Sequence, residues 1–95
     1  MIDRKQAERL AEEYLTKVQD EIKIPIKLSK KINLPYGWVF FYNSKEYIET
    51  ENISSALLGN APFIIDAADG TLTLFGTAHP VEFYLQEYEQ SRHKP

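Results

Sequence analysis

Trp38-Val39-Phe40-Phe41-Tyr42-Asn43 decides the fold. An unbroken run of aromatic and β-branched residues favours extended backbone. The two-residue period of a strand sets Trp38, Phe40 and Tyr42 on one face and Val39, Phe41 and Asn43 on the other. Both faces are largely apolar, so the run reads as a central strand that needs a covering layer on each side. The chain has 95 residues, enough for one small domain, and covering both faces fully within it is hard.

Upstream, Ile22, Ile24, Ile26 and Leu28 alternate with Lys23, Pro25, Lys27 and Ser29, which predicts a half-buried strand over 22–32. Pro25 has no amide hydrogen, which suits an edge strand. Lys23, Lys27, Lys30 and Lys31 bring four positive charges with no acid among them. On an edge they discourage sheet-to-sheet pairing; the alternative is a basic patch for an acidic partner. Asn33–Gly37 reads as a connection, with Pro35 and Gly37 as punctuation. Before all this, Ala7, Leu10, Ala11, Tyr14, Leu15 and Val18 follow helical spacing over 3–21. Asp3 and Gln6 are placed as a capping box, and Arg4, Glu8, Glu12 and Asp20 form the wet face.

Downstream the pattern weakens. Lys45–Glu49 either prolongs the strand or forms a bulged extension, Ser54–Leu58 makes a short helical turn, and Gly59-Asn60 turns the chain. Pro62–Asp66 reads as a buried strand, Asp69-Gly70 as a hairpin turn, and Thr71–Phe75 as the returning strand. Pro80 is suited to open a last helix, where its missing donor costs nothing. Val81, Tyr84, Leu85 and Tyr88 are that helix's apolar stripe, and Ser91–Pro95 is expected to fray. The fold class is α+β: a small antiparallel sheet of about four strands flanked by an N-terminal and a C-terminal helix.

Composition removes several functions. There is no cysteine, which excludes disulfide scaffolds, thiol nucleophiles and cysteine-based metal sites and favours a reducing, cytoplasmic compartment. The first 20 residues have no apolar run and do not read as a signal peptide. No stretch is long and apolar enough for a membrane span. The net charge of −3 and the absence of Lys or Arg within Trp38–Tyr42 argue against nucleic acid. His79 sits before Pro80 as a local cap, and His93 lies in the tail. Asp66, Asp69 and Glu82 are too few oxygen ligands for a calcium loop. Ser44, Ser54, Ser55 and Thr77 occupy no nucleophile frame, and no phosphate-binding glycine loop is present. The expectation is a non-enzymatic protein with no catalytic residue, metal or cofactor.

The unusual entry in the composition is 13% aromatic residues. Tyr14, Trp38, Phe40, Tyr42, Phe63, Tyr84 and Tyr88 have positions that fit a core. Tyr36, Phe41, Tyr47, Phe75 and Phe83 are not placed by periodicity, and aromatic rings are enriched in protein interfaces. Tyr36, Phe41 and Tyr47 are therefore candidate partner-binding rings, with Glu46, Glu49 and Glu51 as a polar rim. A homodimer is a further expectation, because self-association would cover the second face of the central strand.

Several blocks carry a family resemblance: Gly37-Trp38-Val39-Phe40-Phe41-Tyr42, Tyr47-Ile48-Glu49-Thr50, Leu58-Gly59-Asn60-Ala61-Pro62-Phe63-Ile64-Ile65-Asp66, Asp69-Gly70 and Gly76-Thr77-Ala78-His79-Pro80, followed by Glu82, Tyr84-Leu85 and Tyr88. Over about residues 1–91 the chain resembles the YrhB-like domain, the immunity protein 35 family of bacterial polymorphic toxin systems. Residues 92–95 fall outside that single domain. The resemblance implies a bacterial cytosolic protein that binds and neutralises a cognate toxin domain by occlusion, without enzymatic activity. A chaperone-like general binder of unfolded chains is the alternative it implies. It assigns no toxin-contacting residue.

Overall fold

A computed structural model describes residues 1–57 and 60–92. Helix α1 runs Arg4–Ile22. Its capping box is closed in both directions: the Gln6 amide donates to the Asp3 carboxylate at 2.8 Å, and the Asp3 amide donates to the Gln6 side chain at 2.9 Å. The helix keeps Ile22 and ends at Lys23, whose backbone is left-handed with φ 61°. That turn corrects the predicted strand start. Strand β1 spans Ile26–Leu34, and Ile22, in the last turn of α1, and Ile24, on the linker, are left exposed. The hairpin that follows closes through Pro35-Tyr36, shorter than the expected connection.

Strand β2 spans Gly37–Ser44, β3 Phe63–Asp66 and β4 Leu72–Leu74. The sheet is antiparallel throughout, in the order β1-β2-β3-β4. This confirms β1 as an edge and β2 as a central strand. Helix α2 (Lys45–Thr50), a 3₁₀ turn (Ile53–Ser55) and helix α3 (Val81–Arg92) complete the α+β fold. Helix α2 replaces the predicted strand extension, for a capping reason given below. The expected turn at Gly59 and the tail from His93 lie outside the described residues.

The two faces of β2 divide the core as its alternation predicts. Trp38, Phe40 and Tyr42 pack with Ala7, Ala11 and Leu15 of α1 and with Phe63 and Ile65 of β3. Val39 and Phe41 face the other way, among Ile64, Phe75, Val81, Tyr84 and Tyr88. Helix α3 thus covers the second face, so the reason given above for a homodimer does not hold. No α3 residue is fully buried, and the helix meets the sheet through rings. Phe75 stacks on Tyr84 at 5.8 Å and meets Tyr88 edge-on at 6.3 Å. Phe75 is 6% exposed and belongs to the core, so it leaves the set of unplaced rings.

A β-bulge at Ser29 lets β1 serve both layers. Register passes from Leu28↔Tyr42 directly to Lys30↔Phe41. Before the bulge, Ile26 and Leu28 join the α1 layer; after it, Ile32 and Leu34 join the α3 layer. Lys31 thereby returns to the α1 side, with its ammonium 3.2 Å from Glu8. Lys30 lies over the Phe41 ring, 5.5 Å from its centroid.

Gly37 faces Asp66 across the β2–β3 ladder, where a Cβ would run into the Ile65 carbonyl oxygen. That neighbour is backbone inside a sheet and has nowhere to go. Gly37→Ala is expected to destabilise the fold by about 1–3 kcal/mol, read as a lower urea midpoint.

Candidate functional site

At the far end of β2 the chain builds a small, well-bonded cap. Ser44 is 3% exposed and caps α2, accepting from the Tyr47 amide at 3.0 Å and donating to the Ser55 carbonyl at 2.6 Å. Asn43 accepts from the Leu57 amide at 2.7 Å, and the Lys45 amide donates to the Pro25 carbonyl at 2.9 Å. Helix α2 stops at Glu51, which is left-handed with φ 57° and donates its amide to the Tyr47 carbonyl. Asn52 then caps the 3₁₀ turn by accepting from Ser54. Short elements joined this way are fixed by side-chain bonds rather than by length.

Between this cap and the α1–β1 linker lies an open cleft of about 650 Å³. Ile24, Pro25, Glu46, Glu49, Ser54 and Leu57 are among its walls. Ile53, at the start of the 3₁₀ turn, is 83% exposed, and Ile24 is 41% exposed. The surface therefore combines protruding aliphatic side chains with carboxylates.

The six residues expected to bind a partner do not form one surface. Glu46 and Glu49 line the cleft, Glu51 is exposed at the end of α2, and Tyr47 is half-buried between them. Phe41 is half-buried on the α3 face of β2. Tyr36 sits at the opposite end of β2, roughly 25 Å away at 3.3 Å per residue. It is engaged within the chain: its hydroxyl donates to Glu89 at 2.8 Å, its ring stacks with Tyr88 at 6.1 Å, and the Arg92 guanidinium lies 4.9 Å from its centroid. Burial, together with the bond to Glu89 and the charge of Glu89, pushes the Tyr36 phenol up to about 12. Phe83 is the exposed ring of the unplaced set, at 41%, stacked on His79 at 4.2 Å.

A second cluster ties α3 to the sheet. Asp66 is 5% exposed and accepts from Tyr88 at 2.7 Å, from the Ala68 amide at 2.9 Å and from Arg92. Burial alone raises this carboxyl, but the bonds from Tyr88, Ala68 and Arg92 and the charge of Arg92 outweigh it and hold the pKa below its ordinary value. Its oxygens are thus occupied by the fold. Arg92, expected in a frayed tail, closes the last turn of α3. Among the described residues, no group of three or more acidic or histidine side chains is placed to hold a metal ion, and no helix is long and apolar enough to cross a membrane.

Neither the aliphatic knobs nor this clasp was legible as such. Ile53 belongs to no periodic segment, and its signal is an isolated isoleucine directly after the capping residue Asn52. The clasp joins residues 26 positions apart.

Comparison with known proteins places the chain. The family described as immunity protein 35 matches residues 5–91. Over 70 residues the chain is 40% identical to the uncharacterized protein YrhB of Escherichia coli (strain K12), covering 74% of each. No solved structure matches it.

Proposed function

The chain belongs to the immunity protein 35 family, and from that premise we propose that it is a non-enzymatic cytoplasmic protein that binds a bacterial toxin domain and blocks it by occlusion. The observation that supports a binding role is the cleft beside α2, lined by Ile24, Glu46 and Glu49, with Glu51 and Ile53 exposed on the segment that follows the helix. Exposed aliphatic groups give an interface its anchor, and a predominantly acidic rim, with Lys45 its one cation among the lining residues, speeds encounter with a basic partner. A standard interface takes about 800 Å² from each partner. The structure has 6412 Å² of accessible surface, so that area is about one-eighth of it. In this reading Glu46, Glu49, Glu51 and Tyr47 contact the toxin, while Tyr36 and Phe41 support the fold.

The test is binding to, and protection from, the C-terminal domain of a secreted toxin encoded beside this chain. Saturable binding is expected. Reversing all three charges, with Glu46→Lys, Glu49→Lys and Glu51→Lys combined, is expected to weaken it at least 10-fold with an unchanged circular dichroism spectrum. No binding and no protection would sink the reading. Broad suppression of client aggregation without saturable binding to that domain would favour the chaperone-like alternative.

A further inference from the structure

The two edges of the sheet are unlike. The β1 edge carries Lys27, Lys30 and Lys31 and is broken by the Ser29 bulge, all devices that deter pairing. The β4 edge has none of them. Its segment Thr71-Leu72-Thr73-Leu74-Phe75 has no charge, no proline and no bulge. Leu74 is 55% exposed there.

The backbone direction of this edge follows from two bonds. The Thr71 carbonyl accepts from the Asp66 amide at 2.9 Å, and the Phe75 amide donates to the Pro62 carbonyl at 2.9 Å. Residues 71, 73 and 75 therefore turn their polar groups toward β3. By the two-residue period, Leu72 and Leu74 turn theirs outward. Among the described residues, none of these outward groups has a backbone or side-chain hydrogen bond within the chain.

The sequence about Thr73 reads Leu-Thr-Leu in both directions. We propose that β4 pairs with β4 of a second copy, antiparallel, about a two-fold axis through Thr73. Leu72 of each chain then faces Leu74 of the other as a hydrogen-bonded pair, and Thr73 faces Thr73 as a non-hydrogen-bonded pair. Every outward amide and carbonyl of Leu72 and Leu74 is satisfied, and each Leu74 is covered by the other copy's Leu72 on the α1 face. A shallow groove of about 300 Å³, lined by Thr73, Leu74, Phe75, Tyr84, Glu87 and Tyr88, lies along the same edge on the α3 side. Two chains of net charge −3 meet there through uncharged strands. The closed, self-complementary register selects a second copy over an unrelated strand, and two-fold pairing leaves no new edge at β4 for further growth. The strand is short, so the interface falls at the small end of the scale and the dimer is concentration-dependent. This surface is separate from the α2 cleft and does not depend on the toxin reading.

The natural chain lacks cysteine, which makes a direct test available. Non-hydrogen-bonded antiparallel pairs bring Cα atoms to about 4.5 Å, within disulfide range. Under mild oxidation Thr73→Cys is expected to form a covalent dimer at least 10-fold faster than Thr16→Cys, an exposed site on α1. Sedimentation of the natural protein from micromolar to millimolar should rise from 11.0 kDa toward twice that mass, and Leu74→Lys should hold it at 11.0 kDa. Equal cross-linking rates for the two cysteine variants, or a dimer that persists in Leu74→Lys, would overturn the proposal. So would a natural protein that stays monomeric while Leu74→Lys abolishes toxin-domain binding, which would give the edge to a foreign strand. The cross-linking readout stands even if Leu74→Lys fails to fold.

Discussion

Phe63→Ala is expected to lower the free energy of unfolding by about 3–5 kcal/mol, a large share of what a small domain has. Phe63 is fully buried and sits where three elements meet. Its ring stacks on Phe40 of β2 at 5.6 Å and takes the edge of Tyr14 of α1 at 4.8 Å. Truncation removes the transfer energy of the ring and both aromatic contacts. It also leaves a cavity between α1 and the sheet, beside the Tyr14 and Phe40 rings. Urea titration should show the loss as a lower midpoint at unchanged slope. A cost below about 1.5 kcal/mol would mean that α1 and the sheet can close on each other and fill the space.

Asp66→Ala is the second large effect, expected at about 3 kcal/mol. It strands the Tyr88 hydroxyl, the Ala68 amide and the Arg92 guanidinium at once. The Arg92 side chain is 34% exposed, so water recovers part of its loss and the value stays below that of a fully buried ion pair. The pH dependence has a defined sign. The folded carboxyl titrates below its ordinary value, so its contribution is complete above pH about 4 and disappears as pH falls through the lower folded pKa. The gap between the natural protein and Asp66→Ala should therefore narrow only in acid. Because the clasp holds α3 by its last turn, hydrogen exchange in Tyr84–Arg92 should rise more than in α1. Equal rises in both helices would indicate global unfolding instead.

Particular residues show what the sequence made legible. Asp3 and Gln6 mark the start of α1, and the two-sided apolar pattern of Trp38–Asn43 marks a central strand, whose second cover, α3, did not follow from it. Both are local signals, carried by a cap and by side-chain alternation. After Ser44 the sequence points to a strand extension because Tyr47 and Ile48 have strand propensity. A buried serine cap with Glu46 in the first helical turn overrides that propensity over only six residues. Ile22 and Ile24 extended an alternation that the left-handed Lys23 interrupts. Of the candidate partner-binding residues, Glu46 and Glu49 line one cleft because helical spacing sets them three apart. Tyr36 looked free because its partners Tyr88, Glu89 and Arg92 are more than 50 positions away, beyond the reach of any local pattern.

The bulge at Ser29 gives β1 two phases along one strand. An edge strand is usually the part of a sheet most tolerant of changes in length, but this one keeps time for two layers. If Ser29 paired in the ladder instead of bulging, the strand would run in a single phase, Ile32 and Leu34 would swing out of the α3 layer and Lys31 would turn into it. The lysine-rich margin of the sheet is thus a clocked segment. Substitutions at Lys27 or Lys30 change only what the edge shows to water and to the Phe41 ring, whereas losing the bulge while keeping Ser29 acts on burial as a frameshift acts on a reading frame.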